Sequence, residues 1–118
     1  MTTKAVDGGT QNQKSKVTIM ATFIALITET QLGETHIDES VARATKFREA
    51  ATKFGARITG MYWTMGQYDG VLIFEAPDDA KAAALLHHLG SKGAVRTQTL
   101  RAFDVEATRT ILKTITGA

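Results

Sequence analysis

The sequence contains no cysteine, one proline and one tryptophan. Without cysteine there is no disulfide framework, no thiol nucleophile and no thiolate metal site. Long apolar runs are missing as well. The longest, around Ile19 to Ile27, is broken by Thr22 and falls far short of the roughly 20 residues a membrane-crossing helix needs, so no membrane partner is expected. No apolar stretch of signal-peptide type follows Lys4, which argues against secretion and makes cytoplasmic residence the expectation. An excess of one charge is also missing from the body. The net charge is +2 and the pI about 9.0. Lys4, Lys14 and Lys16 against Asp7 account for the whole excess, leaving residues 18–118 formally neutral. A nucleic-acid reader concentrates Lys and Arg on one face of its fold, so this balance argues against such a partner.

What is present fits one soluble domain. A length of 118 residues with 43% apolar and 22% charged residues is ordinary for a single globular unit. Residues 1–17 read as a polar basic tail with little to bury, and residues 18–118 as the folded domain. Residues 18–29 are β-branched and aromatic, and both alternating sets are apolar: Ile24 and Leu26 on one side, Phe23, Ala25 and Ile27 on the other. A polar loop over 30–37 follows. The spacing of Val41, Ala44, Phe47, Ala51 and Phe54 then predicts a helix from about Asp38 to Phe54, capped by Asp38 or Ser40 and stopped at Gly55. Residues 56–65 and 71–76 predict two strands joined by the turn Gly66-Gln67-Tyr68-Asp69-Gly70. Pro77 ends the second of these, and Asp78 and Asp79 open a helix whose apolar face is Ala82, Leu85, Leu86 and Leu89. A strand over 94–103 and a last helix, capped by Asp104 and running to about Ile115, complete the chain.

The order β-α-β-β-α-β plus a terminal helix predicts an α+β, ferredoxin-like fold with a four-stranded antiparallel sheet. Both main helices then lie on one face. Leu72 and Phe74 against Val71 and Ile73 make the third strand, like the first, apolar on both sides. A bare apolar sheet is uncommon on a monomer, so the expected partner is the chain itself, as a homodimer or a larger ring formed through the sheet face.

The segment MYWTMGQYDGVLIFEAPDDAKAAALL, followed by LGSKGAVRTQTLRAF, resembles the GYD domain family. The glycine, tyrosine and aspartate that name the family correspond to Gly66, Tyr68 and Asp69, with Gln67 between the first two. The likeness runs from about residue 20 to residue 104 and takes in Tyr62-Trp63-Thr64 and Asp78-Asp79. It implies a small bacterial or archaeal protein of ferredoxin-like fold, related in shape to the dimeric α+β barrels. It does not imply an activity.

Candidate chemistry centres on the hairpin. Asp69 can accept turn amides and Tyr68 can pack on the hairpin, which needs no ligand. Alternatively both stand at a pocket, with Asp69 as base or anchor and Tyr68 as a donor. Tyr62, Trp63, Gly66, Tyr68 and Asp69 are the candidate ligand-binding residues. By strict alternation Met61, Trp63 and Met65 share a face with Arg57, and Tyr62 faces the other way with Ile58. That cluster packs a core or an interface, or lines an apolar cavity between the sheet and a partner, with Arg57, Arg96 and Arg101 as anion contacts. His36, in the first loop, is a candidate acid–base partner of Asp69, most simply across a dimer. His87 and His88 are adjacent on a helix and point about 100° apart, so they cannot share one ion, and no metal site or cofactor is expected. No G-x-S-x-G motif occurs, and Gly90-Ser91-Lys92-Gly93 follows a helix, where a phosphate loop would precede one. The functional expectation is a homo-oligomeric small-ligand-binding or assembly module. The alternative is a cofactor-free enzyme of the dimeric α+β barrel type, carrying out proton transfer or oxygenation on a small molecule, with Asp69 and His36 as the acid–base candidates.

Overall fold

The computed structural model describes residues 19–117, so the tail read from residues 1–17 lies outside the described residues. Strand β1 spans Ala21–Glu29, and the short helix α1 spans Gln31–Thr35. Helix α2 covers Ser40–Ala51, flanked by single 3-10 turns at Ile37–Glu39 and Thr52–Phe54. Strands β2, Arg57–Trp63, and β3, Gly70–Ala76, precede α3 at Asp79–Gly90. Strand β4, Val95–Ala102, leads to α4 at Val105–Thr116. The sheet order is β2-β3-β1-β4 with every neighbour antiparallel, which is the ferredoxin-like arrangement with an added C-terminal helix.

Local chemistry explains most boundaries. Asp78 accepts the Lys81 amide at 2.8 Å and starts α3, and Asp104 accepts the Ala107 amide at 2.8 Å and starts α4. Gly55 stops the first helical region in a left-handed conformation, φ +70°. Two departures from the sequence reading have clear causes. Residues 31–35 are helical because Thr30 Oγ1 accepts the Gly33 amide at 3.2 Å and caps a turn that polar composition had marked as loop. Helix α2 begins after Glu39 with no side-chain cap, so neither Asp38 nor Ser40 serves as one; the preceding 3-10 turn delivers the chain into the helix.

Helices α2 and α3 pack on one face of the sheet. The core there joins Phe23 and Ala25 of β1, Leu72, Phe74 and Ala76 of β3, Ile58 of β2, Phe47 and Ala51 of α2, and Leu85 of α3. The Phe23 and Phe74 rings stack with centroids 5.3 Å apart. The opposite face carries Ile24 beside Ile73 and Leu100, and Leu26 beside Val71. None of these five is fully buried. Helix α4 buries none of its residues, and Val105, Ile111, Leu112 and Ile115 are exposed.

Strand β2 corrects the assignment of faces. Between Ile58, opposite Phe74, and Gly60, opposite Ile73, the register slips by one residue. That β-bulge reverses the alternation beyond it. Met61 pairs with Leu72 and so looks toward the helices on the same side as Ile58, with Trp63 after it; Tyr62 pairs with Val71 and shares the open face with Arg57.

Candidate functional site

The turn between β2 and β3 is tied to β1 by its own backbone and by one carboxylate. Gly66 stands at φ +102°, a conformation that side-chain-bearing residues rarely adopt. Thr64 Oγ1 donates to the Tyr68 carbonyl at 2.7 Å, and the Thr64 amide to the Asp69 carbonyl at 2.9 Å. The Asp69 amide donates to Ile27 O at 2.8 Å, and Asp69 Oδ2 accepts the Glu29 amide at 2.8 Å. Tyr68 turns the other way. Its hydroxyl donates to Gln98 Oε1 at 2.9 Å, crossing β1 on the open side of the sheet, where Gln98 faces Leu26.

On the helix side, Asp69 borders a cleft of about 480 Å³ between the sheet and α2. Ile27, Phe47, Met61 and Leu72 give it apolar walls. Trp63, half exposed, lines it from β2, and its indole Nε1 donates to Ser40 Oγ on α2 at 2.7 Å, bridging strand and helix. Glu29, Arg43 and Asp69 supply its charged end, while Lys46 and Lys92 border it with exposed side chains. The Glu29 side chain is only 8% exposed, with Oε1 3.3 Å from Arg43 Nη2; Arg43 Nη1 also donates to the His36 carbonyl at 2.9 Å. Burial raises the Glu29 carboxyl above its ordinary 4.5; Arg43 pulls it back, and the Asp69 and Glu34 carboxylates push it further up. The cleft thus combines an apolar body with a buried, under-neutralised acid.

Among the candidates from sequence, Trp63 and Asp69 border this cleft; Tyr62 adjoins it from β2 with its ring on the open face beside Ile73, Gly66 shapes the turn, and Tyr68 bonds Gln98 on the open face. The cavity sits within one chain, between the sheet and its own helices, where sequence reasoning had placed it against a partner. His36 is exposed, with Nδ1 4.0 Å from Glu39 Oε2, and no described contact joins it to Asp69. His88 borders the cleft and its ring lies 5.6 Å from that of Phe54, while His87 is exposed. Among the described residues no group of three or more His, Cys, Asp or Glu is arranged to hold a metal ion. Arg57 pairs with Glu75 at 2.6 Å, and Arg101 stacks over the Phe23 and Phe103 rings at 5.4 and 4.6 Å; Arg96 is exposed beside Thr28 on the open face. Sequence reasoning missed Glu29 and Arg43. One signal was available: Glu29 continues the inward set Phe23, Ala25, Ile27, so the alternation itself aims an acid at the helices.

The sequence model of the GYD domain family matches residues 23–112. A protein of Thermus thermophilus, named glutamine synthetase and cystathionine beta-lyase binding protein, is 38% identical over 87 residues, which is 73% of this chain and 92% of that protein. No helix among the described residues is long and apolar enough to cross a membrane.

Proposed function

The chain belongs to the GYD domain family, and from that premise we propose that it works as a self-associating binding module. The open face of the sheet carries the reading. Ile24, Leu26, Val71, Ile73 and Leu100 form one contiguous apolar surface on the side that α2 and α3 leave uncovered. Surfaces of that kind on soluble proteins mark contact sites. A second copy laid sheet to sheet, or a ring of copies, buries it by symmetry. The exposed apolar stripe of α4 lies on the same chain and extends the contact. Light scattering at micromolar concentration tests this: the mass is a multiple of 12.7 kDa, and Ile73→Glu, which sets a charge in the middle of the face, shifts it toward the monomer. A stable wild-type mass of one chain sinks the reading.

The cleft beneath α2 is the ligand site of this module, with Trp63 and Asp69 at its edges and Tyr62 beside them. Gly66 and Tyr68 serve it indirectly, by holding the turn that carries Asp69. For macromolecular partners, the name of the Thermus relative points to enzymes, so glutamine synthetase and cystathionine beta-lyase are the proteins to test. Co-migration of the purified chain with either on gel filtration supports a shared role; separate elution from both removes it. The alternative is a cofactor-free enzyme. Its specific support is Glu29, a buried carboxyl raised above its ordinary range beside an apolar cleft, the environment of a proton-transferring acid. In that reading Asp69 acts with Glu29, and His36 joins only from elsewhere in an oligomer.

A further inference from the structure

The cleft between the sheet and α2 has chemistry specific enough to name its ligand. Its walls are apolar and its volume, about 480 Å³, suits a molecule of modest size. Two carboxylates, Glu29 and Asp69, border it. Asp69 spends Oδ2 on the Glu29 amide, and Glu29 spends Oε1 on Arg43. Among the described residues, Asp69 Oδ1 and Glu29 Oε2 have no donor. Arg43 is divided between Glu29 and the His36 carbonyl. Arg43 pairs with Glu29, and among the described residues no cation pairs with Asp69. The Glu29 side chain, 8% exposed, keeps little of its hydration. What is missing is a cationic donor. The lysines at the border do not supply it, since Lys46 and Lys92 are exposed and keep their ammonium heads in water.

Resting on the reading of this cleft as a ligand site, we propose that it binds a small primary amine with an aromatic or branched apolar body, the ammonium set between Glu29 and Asp69 and the body against Ile27, Met61, Phe47 and Trp63. The ammonium has three donors and can satisfy both vacant carboxylate oxygens at once. The apolar body displaces water from the walls and lies within reach of the Trp63 ring.

Trp63 is the sole tryptophan and borders the site, so its fluorescence reports occupancy without a label. Three probes that share one phenylethyl body separate the possibilities: 2-phenylethylamine, 2-phenylethanol and 3-phenylpropanoate, each titrated into the full chain. The amine should bind at least roughly tenfold more tightly than the alcohol, one charge-assisted contact's worth of discrimination, and the acid more weakly still. Glu29→Gln, close in shape, should bring the amine down to the affinity of the alcohol and leave the alcohol unchanged; Asp69→Asn should weaken the amine in the same selective way. Equal binding of alcohol and amine, or tightest binding of the acid through Lys46 and Lys92, overturns the amine assignment while leaving the cleft a ligand site. No response to any probe, by fluorescence and by amide shifts of Ile27 and Asp69, overturns both. An amine preference that survives Glu29→Gln and Asp69→Asn in folded protein overturns the proposed position of the ammonium.

Discussion

Asp69→Ala removes an acceptor and leaves its donor behind. The Glu29 amide lies 2.8 Å from Asp69 Oδ2, in a partly buried position at the end of β1. A hydrogen bond to a charged acceptor contributes about 1.5–3 kcal/mol, and orphaning a buried amide costs about 1–3 kcal/mol. These are one loss viewed from two sides, so the expected cost is about 2 kcal/mol, not their sum. Two features bound it. The backbone bonds of Asp69, to Ile27 O at 2.8 Å and from the Thr64 amide at 2.9 Å, survive the substitution, so the hairpin keeps its register. Loss of the carboxylate also relieves its repulsion of Glu29, a small offset in the other direction. At roughly 4–8 °C per kcal/mol for a domain of this size, Tm should fall by roughly 8–16 °C. Protomer concentration is held fixed, because the proposed self-association would add its own stabilisation. Asp69→Asn keeps an oxygen acceptor without the charge and should lose about half as much, giving the order wild type, Asn, Ala. Thermal unfolding followed by circular dichroism gives the magnitude. Hydrogen exchange at the Glu29 amide gives the cause, since its protection should collapse in the alanine variant. A Tm within about 2 °C of wild type, well under the shift for 1 kcal/mol, with the Glu29 amide still protected, refutes the reasoning.

Three further outcomes follow from the same geometry. Gly33→Ala places a methyl group against the Ala94 carbonyl and Glu29 Oε1, and the backbone cannot give way cheaply, so the midpoint of chemical denaturation should drop by the equivalent of about 1–3 kcal/mol; an unchanged midpoint refutes the contact. Because the folded-state pKa of Glu29 is raised, the folded protein holds that proton more tightly than the unfolded chain, and stability should fall as pH rises from about 4.5 through the raised value and then level off; Glu29→Gln should remove that slope, and a slope that persists assigns it elsewhere. On α4, Ile111→Glu with Leu112→Glu should lower the oligomeric mass while changing the stability of the fold by no more than about 0.5 kcal/mol per site; an unchanged mass in the folded variant contradicts an assembly role for this helix.

The fold was largely legible because its signals are local. Asp78 and Asp104 cap helices where a carboxylate precedes an apolar stripe, Gly55 ends one where a left-handed residue is required, and the two apolar sets of β1 announce a sheet that is apolar on both faces. What sequence could not show is non-local. The bulge at Thr59 depends on how β2 meets β3, and one extra residue moves Met61 and Trp63 from one side of the sheet to the other. Helix α1 rests on a single Thr30 cap, too short a signal to outweigh its polar composition. The cleft failed to register for the same reason. Glu29 and Arg43 come from a strand and a helix and meet only when α2 folds back on the sheet, so no spacing in the chain marks them as a pair.

The hairpin residues acquire a physical role that neither face supplies alone. Tyr68 and Asp69 are neighbours in the turn, and their side-chain hydrogen bonds run to Gln98 on the open side and to the Glu29 amide respectively. Tyr68 reaches over β1 to Gln98 on the open side, the side proposed to hold another copy. Asp69 reaches the Glu29 amide on the helix side, at the charged end of the cleft. Gly66, at φ +102°, allows the chain to turn in time to present both. One short segment therefore bonds the Glu29 amide at the end of β1 through Asp69 and Gln98 on β4 through Tyr68, which ties the two sides of the sheet to one hairpin. If a copy seated on the open face moves Tyr68, Asp69 and the Glu29 amide move with it. Self-association and ligand affinity are then linked, and by thermodynamic reciprocity an amine that binds the cleft must change the oligomer's dissociation constant by the same factor. Tyr68→Phe separates the two possibilities: it removes the bond to Gln98 while leaving Asp69 in place. Linkage through the hairpin predicts that ligand-dependent changes in oligomer mass weaken in this variant, whereas identical changes in wild type and variant exclude that route.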